Sequence, residues 1–207
     1  MREKVENAET RIGDLEDTVD VFSEQYTVLF KGLLAILANQ VLNYGPNERV
    51  SVYRHDPQRS GFRMVSRYSD NPEYDKPSER SFYPADEGVI GEAWTNGREV
   101  VAELPDPKED LNEYLKLTEQ AWKIKKGVAE RFTMKSCCYA AFPLKHPHGE
   151  EYGNIAIVVF ESVQKGKLQM EKLKEEMYGA EGRRIAKFLV TMEIIEPRVD
   201  IASVEGV

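Results

Sequence analysis

The first 44 residues carry an apolar repeat of seven, and this feature constrains the fold more than any other in the chain. Two interleaved series make up the repeat: Val5, Ile12, Val19, Tyr26 and Leu33, and Ala8, Leu15, Phe22, Leu29 and Ile36. Mostly charged residues separate them, as between the a and d positions of a coiled coil. An amphipathic helix lying on its own domain gives a similar stripe, and the apolar face that widens after Tyr26 suits such packing.

The narrow part of the stripe, over residues 5–25, predicts pairing with a second helix. We therefore expect a homodimer. Its predicted interface consists of Val5, Ile12, Leu15, Val19, Phe22 and Tyr26.

Charge distinguishes this segment from the remainder. The chain of 207 residues has a formal net charge of −8. Residues 1–25 hold eight acidic and three basic side chains, so the excess of acid is concentrated there. A net negative charge disfavours a mainly electrostatic grip on the phosphates of nucleic acid. We expect no nucleic-acid partner.

The two cysteines, Cys137 and Cys138, are adjacent, which rules out a disulfide scaffold and fits a reducing compartment. The acidic N-terminal segment has no apolar core of the kind found in a signal peptide. We therefore expect a cytoplasmic protein. An upstream membrane segment is compatible with the pattern too, because the helical repeat is already under way at the first residues.

Strand and helix patterns follow the repeat in an order typical of an α+β fold. Two predicted hairpins (49–55 with 62–69, and 137–144 with 154–161) indicate an antiparallel sheet, with helices covering one face. The other predicted elements are a short helix at 88–94, a strand at 99–102, a helix at 109–132 and a helix at 168–195. We divide the chain into an N-terminal dimerisation helix (1–44), a core (45–165), a C-terminal helix (166–196) and a loose tail (197–207).

Two segments of the core resemble GAF domains. Residues 88–98 read GVIGEAWTNGR and residues 100–105 read VVAELP, which is similar to the central GAF signature. Residues 134–144 and 152–162 are similar to the closing GAF hairpin. The resemblance covers residues 28–193. It implies a GAF-like antiparallel sheet of about six strands and a small-molecule pocket between sheet and helices. It also implies dimerisation through the N- and C-terminal helices, and leaves the ligand and any cofactor unidentified.

Aromatic and cationic side chains near the implied pocket are the candidate ligand contacts, although each residue type is also common in cores. These candidates are Trp94, Tyr53, Arg67, Tyr68, Phe82 and Phe142. Trp94 follows the short helix that lines the pocket in GAF domains. Arg67 and Lys135 carry the charge that would neutralise an anionic ligand.

No set of residues predicts catalysis or metal binding. GAF enzymes that reduce free methionine sulfoxide use cysteines flanking the pocket, one of them in the segment that reads GVIG here. Ile90 occupies that position, and residues 1–136 contain no cysteine. His146 and His148 lie in a polar turn, where solvated side chains are the simpler interpretation. We expect no enzyme, no catalytic residue and no metal.

The sequence therefore predicts a GAF-type sensor module. It would bind an unidentified small molecule and relay the bound state through a helical dimer interface to an effector protein outside this chain. A ligand-free dimerisation adaptor of the same fold is the main alternative, and a stand-alone GAF-type enzyme is a weaker one.

Overall fold

The computed structural model describes residues 21–22, 24–76, 80 and 82–195. The predicted tail at 197–207 lies outside these residues. So do most of the predicted dimer contacts, namely Val5, Ile12, Leu15 and Val19.

Six antiparallel strands form one sheet with the order β3-β2-β1-β6-β5-β4. The strands are β1 (Glu48–Asp56), β2 (Gly61–Tyr68), β3 (Tyr83–Pro84), β4 (Val100–Glu103), β5 (Cys138–Lys145) and β6 (Asn154–Ser162). Both predicted hairpins are present, as the β1–β2 and β5–β6 pairs. Pairing of β1 with β6 joins the hairpins at the centre of the sheet.

Seven helices accompany the sheet within the described residues. Helix α1 spans residues 24–36 and continues into a π-helical turn, Leu37–Val41. The others are α2 (Pro72–Asp75), α3 (Gly88–Asn96), α4 (Leu111–Trp122), α5 (Lys126–Ala129), α6 (Met170–Tyr178) and α7 (Ala180–Ile195). A single 3₁₀ turn, Glu150–Tyr152, precedes β6.

Two helices predicted as continuous are each divided. The segment predicted as one helix over 109–132 is α4 and α5, because Lys123 ends α4 with a left-handed φ of 56°. The segment predicted over 168–195 is α6 and α7, which meet at Gly179. A Cβ at Gly179 would lie 2.3 Å from the Glu175 carbonyl oxygen, so this tight junction requires glycine.

Helices cover both faces of the sheet, whereas the sequence predicted one covered face. Successive strand residues point to opposite faces, so Val50 and Val52 of β1 lie on one side and Tyr53 on the other. Helices α1, α6 and α7 pack on the first side, which we call the α1 face. Helices α3, α4 and α5 pack on the second, the α4 face. The continuous burial of β5 and β6 agrees with cover on both sides.

Within the described part of the chain, we find no helix with the length and apolar character needed to cross a bilayer.

Candidate functional site

Charged and polar side chains lie at the centre of the sheet on its α4 face. Strand register places Arg49 of β1 directly opposite Glu161 of β6, and Glu161 directly opposite Tyr139 of β5. Direct cross-strand neighbours on one face have their Cβ atoms roughly 5 Å apart, so their side chains interact. Ser51, Tyr53 and Arg67 extend this group along β1 and β2. We call the six sheet residues the polar floor: Arg49, Ser51, Tyr53, Arg67, Tyr139 and Glu161.

Arg49 and Glu161 form a buried, bidentate ion pair. The Arg49 Nε donates to Glu161 Oε2 at 2.7 Å and Nη2 donates to Oε1 at 2.8 Å. Their exposed fractions are 8% and 5%, and the Ser136 hydroxyl lies 3.4 Å from Oε1. Burial lowers the pKa of Arg49, but the Glu161 carboxylate more than offsets this, so the pKa lies above its ordinary value. Both charges are therefore retained in the interior.

Tyrosines supply neutral hydroxyls around this pair. The Tyr114 hydroxyl of α4 lies 3.2 Å from the Tyr139 hydroxyl, and the Trp122 ring meets the Tyr139 ring edge-on. Burial raises the pKa of Tyr53 to about 12 and that of Tyr114 to about 12. These phenols stay protonated at neutral pH, so each can both donate and accept a hydrogen bond.

Arg67 lies beside the ion pair but has only neutral partners. Its Nε donates to the Ser51 hydroxyl at 3.2 Å, Nη1 to the Lys76 carbonyl at 3.1 Å, and Nη2 to the Tyr53 hydroxyl at 3.4 Å. Among the described residues, no carboxylate forms an ion pair with Arg67. Within the part of the chain that the structure describes, the guanidinium is thus held in place with no carboxylate to compensate its charge.

The structure brings together only part of the predicted ligand set. Tyr53 and Arg67 meet in the polar floor. Trp94 lies on the same face, at the end of β1 beside the hairpin turn, where it stacks on His55. Phe82 lies near that turn, under the Arg59 guanidinium.

Tyr68 and Phe142 point to the α1 face, so the prediction that groups them with the others does not hold. Tyr68 directly follows Arg67 in β2, and strand alternation turns it to the opposite side. Phe142 is fully buried against Phe160 and Tyr178 on that same side.

Sequence reasoning missed the ion pair of the polar floor. Arg49 opens the first predicted strand and Glu161 closes the last one, and the sequence pattern assigns no role to either residue. An arginine and a glutamate at opposite ends of two apolar strands are a signal of pairing only if the two strands are antiparallel neighbours. That adjacency of β1 and β6 is a property of the tertiary fold.

The two thiols lie outside the polar floor. Cys137 and Cys138 are free and buried. Burial raises the pKa of Cys137 to about 12 and also raises that of Cys138, so both are protonated at neutral pH. Cys138 borders a small cleft beside edge strand β4, where its Sγ lies 3.8 Å from Glu103 Oε1.

The histidine turn keeps His146 and His148 near the surface, where their rings stack with Tyr152. A search of the described residues for three or more ligating side chains grouped around a metal position finds none.

The stack of His55 on Trp94 predicts a pH-dependent fluorescence signal. The ring centroids are 4.3 Å apart, and partial burial lowers the pKa of His55 below its ordinary value. In a Trp122→Phe background Trp94 is the only tryptophan. We expect its emission to fall as the pH drops through the lowered pKa of His55, because the imidazolium quenches indole more strongly than neutral imidazole does. Adding His55→Gln should abolish the transition, and an unchanged transition would contradict the stack.

No protein-family model and no curated protein match the chain. Solved structures do match. The GAF domain of a phosphoenolpyruvate-protein phosphotransferase from Coxiella burnetii aligns with a TM-score of 0.53 and 12% identity, covering 87% of this chain and 94% of that one. The GAF domain of a two-component sensor histidine kinase from Bacillus halodurans aligns with a TM-score of 0.52 and 10% identity. The alignment covers 79% of this chain and 92% of that one. The fold is GAF-like, which confirms the predicted class.

A third match corrects the expectation that the chain is not an enzyme. The type II free methionine-R-sulfoxide reductase from Thermoplasma acidophilum aligns with a TM-score of 0.52 and 10% identity, covering 82% of this chain and 95% of that one. An enzyme therefore shares this fold with the sensor domains. At such identities the likeness shows the fold alone, and it transfers neither a substrate nor site residues.

Proposed function

We propose that the chain is a cytoplasmic, dimeric GAF-type sensor module that binds a small ligand at the polar floor and signals to an effector protein through α1. The observation that carries the proposal is the buried Arg49–Glu161 pair with its neighbours under α4. Burying two charges costs several kcal/mol per ion before pairing, and well-packed apolar residues stabilise a core at least as well. A row of charged and hydroxyl groups at the centre of a sheet is better suited to recognising a polar ligand.

Residues 68–76, which we call the strap, connect the polar floor to α1 through side-chain bonds. At one end its Lys76 carbonyl accepts from Arg67. Along its length Asp75 pairs with Lys31 of α1 at 2.5 Å. A ligand that changes the position of Arg67 would therefore act on α1 through bonds that already exist.

The strap also contacts the π-helical turn that ends α1. Asn39 in that turn donates to the Tyr68 hydroxyl at 2.7 Å and to Asp70 Oδ1 at 3.2 Å. The Tyr68 hydroxyl in turn donates to Asp70 at 2.6 Å. Because π-helical turns are rare and recur at functional sites, this turn is a suitable two-state element for the relay.

Removal of the Tyr68 hydroxyl tests the relay. Tyr68→Phe is expected to cost about 0.5–1.5 kcal/mol of stability, the usual value of a lost hydrogen bond. Amide exchange at residues 37–41 should become faster while exchange in β6 stays unchanged. Tyr152→Phe, at an exposed tyrosine of the distant histidine turn, is the matched control. Equal amide exchange rates at residues 37–41 in wild type and Tyr68→Phe would show that the π-helical turn takes no part in the relay.

The outer side of α1 supports pairing with a second copy. Phe30, Leu34 and Leu37 face the core, whereas an apolar stripe on the opposite side is exposed. The stripe consists of Val21, Phe22, Val28, Leu29 and Ile36. Val28 is 71% exposed and Leu29 61% exposed, so the stripe is open to a partner. Tyr26, a predicted interface residue, instead packs on Phe188 of its own chain.

Gly32 lies in the middle of the stripe. Replacing it by alanine should have a favourable effect on a monomer and an unfavourable effect on a dimer. Among the described residues, no atom beyond the adjacent residues and the backbone of α1 itself lies within 4 Å of the position that a Cβ would occupy. In a monomer, Gly32→Ala should therefore stabilise α1 by up to about 1 kcal/mol. In a dimer that packs helices closely at Gly32, the methyl group should weaken self-association, which sedimentation at several concentrations measures. A gain in stability with unchanged self-association would exclude Gly32 from the interface.

The ligand-free adaptor is supported by the cover over the polar floor. Tyr114 is fully buried and Trp122 nearly so, and both pack against the floor from α4. In an adaptor this cover is permanent and the ion pair is structural.

Native mass spectrometry of protein purified from its own host distinguishes the two functions. The sensor proposal predicts a bound small molecule that is lost on denaturation. The mass of the bare chain alone, in protein that is folded and dimeric, would favour the adaptor.

A further inference from the structure

Arg67 is the one charged residue of the polar floor that has no opposite charge as a partner among the described residues. A guanidinium has five N–H groups, and three of those on Arg67 are used, one on each nitrogen. Each Nη nitrogen therefore keeps one N–H group for a further acceptor. Glu161, the only carboxylate of the floor, is already bound at both oxygens by Arg49.

The described carboxylates of the strap, which follows Arg67 in the chain, are engaged elsewhere. Asp75 pairs with Lys31, and Glu73 pairs with Lys76. Asp70 accepts hydrogen bonds from Asn39 and Tyr68. The floor therefore carries an excess of one positive charge, held half-buried and fixed by neutral oxygens.

We propose that Arg67 binds an oxyanion group, a carboxylate or a phosphate, of the small ligand. This inference rests on the proposed function and names the chemical class of its ligand. The two remaining N–H groups of Arg67 match the paired oxygens of such a group, which guanidinium binds with charge-assisted hydrogen bonds. The Tyr53 hydroxyl, which accepts from Arg67, keeps its own proton to donate to the same group.

Charge selection follows from this arrangement. A neutral ligand would leave a half-buried guanidinium uncompensated, at the cost of removing its remaining water. An oxyanion replaces that water and neutralises the floor. Binding should therefore weaken as the salt concentration rises, because the contact is between full charges.

The test uses paired probes that differ only in charge: acetate with acetamide, and succinate with succinamide, with inorganic phosphate added. The readout is the set of backbone amide NMR signals at residues 51, 53 and 67 during titration, which wild type and all variants retain. We expect a saturable shift with the anions in the millimolar range and none with the amides. Arg67→Gln should lower anion affinity about tenfold or more, the scale of a charge-assisted bond. Arg67→Lys keeps the positive charge but loses the paired N–H groups, so its anion affinity should lie between those of wild type and Arg67→Gln.

Arg63→Gln is the matched control, since Arg63 lies on the same strand with its side chain 57% exposed. It should bind the anions like wild type. A lower half-saturation concentration for phosphate than for the carboxylates, or the reverse, identifies which oxyanion the site prefers.

Two results would overturn the proposal. One is anion binding that Arg67→Gln and Arg67→Lys leave unchanged. The other is the absence of any saturable response of Arg67 to the anions. If native mass spectrometry still shows a bound molecule in either case, the sensor function stands and only the anionic class fails.

Discussion

Glu161→Ala is expected to lower the free energy of unfolding by about 3–5 kcal/mol, because it leaves the Arg49 charge buried and alone. Arg49 is 8% exposed and has no second carboxylate at its guanidinium among the described residues. Chemical denaturation of the variant and wild type measures the difference. Mutation of the exposed pair between Lys123 and Asp86 is the control, and should cost about 0–1 kcal/mol.

A double variant separates the cost of a broken pair from the value of the pair itself. Arg49→Met with Glu161→Leu replaces both charges by apolar groups of similar size, and should be far more stable than Glu161→Ala. That outcome would mean the pair is not required for stability, as a functional floor implies. A double variant as unstable as the single one would instead assign the pair a structural role.

Phe22→Asp with Leu29→Asp is expected to abolish self-association while leaving the fold intact. Both side chains lie in the exposed stripe of α1, so in a monomer the aspartates are solvated, whereas in a helix pair they are buried without partners. Sedimentation velocity reports the assembly and circular dichroism reports the fold. Glu24→Lys, a change of charge on α1 at an exposed polar position, is the control and should remain associated. A wild-type chain that is monomeric at tens of micromolar would contradict the dimer.

The sheet could be predicted from the sequence because its signals are local. Alternation and turn residues define the hairpins at 49–69 and 137–161 within short windows. The wider apolar face after Tyr26 correctly indicated that Phe30, Leu34 and Leu37 pack into the core. The pairing of residues 5–25 with a second helix stays a prediction.

The site could be predicted only in part because it depends on contacts between residues that are far apart in the chain. Arg49 and Glu161 are 112 positions apart and meet only through the β1–β6 pairing. Phe142 is aromatic, as many pocket residues are, but strand alternation places its side chain on the α1 face. Tyr53 and Arg67 lie together because they belong to one hairpin, where the register of the two strands follows from the turn, and their contact with a ligand stays a prediction.

Hydrogen exchange, compared between protein as purified from its host and the same protein unfolded, stripped and refolded, tests the central claim most directly. The account predicts slower exchange in the purified protein at residues 49–53, at Arg67 and in α4, because a ligand on the polar floor stabilises these elements. It further predicts a change at 37–41 in α1, carried by the strap through Asn39 and Asp75. Identical exchange in the two preparations at the polar floor and at 37–41 would contradict ligand binding and its relay together.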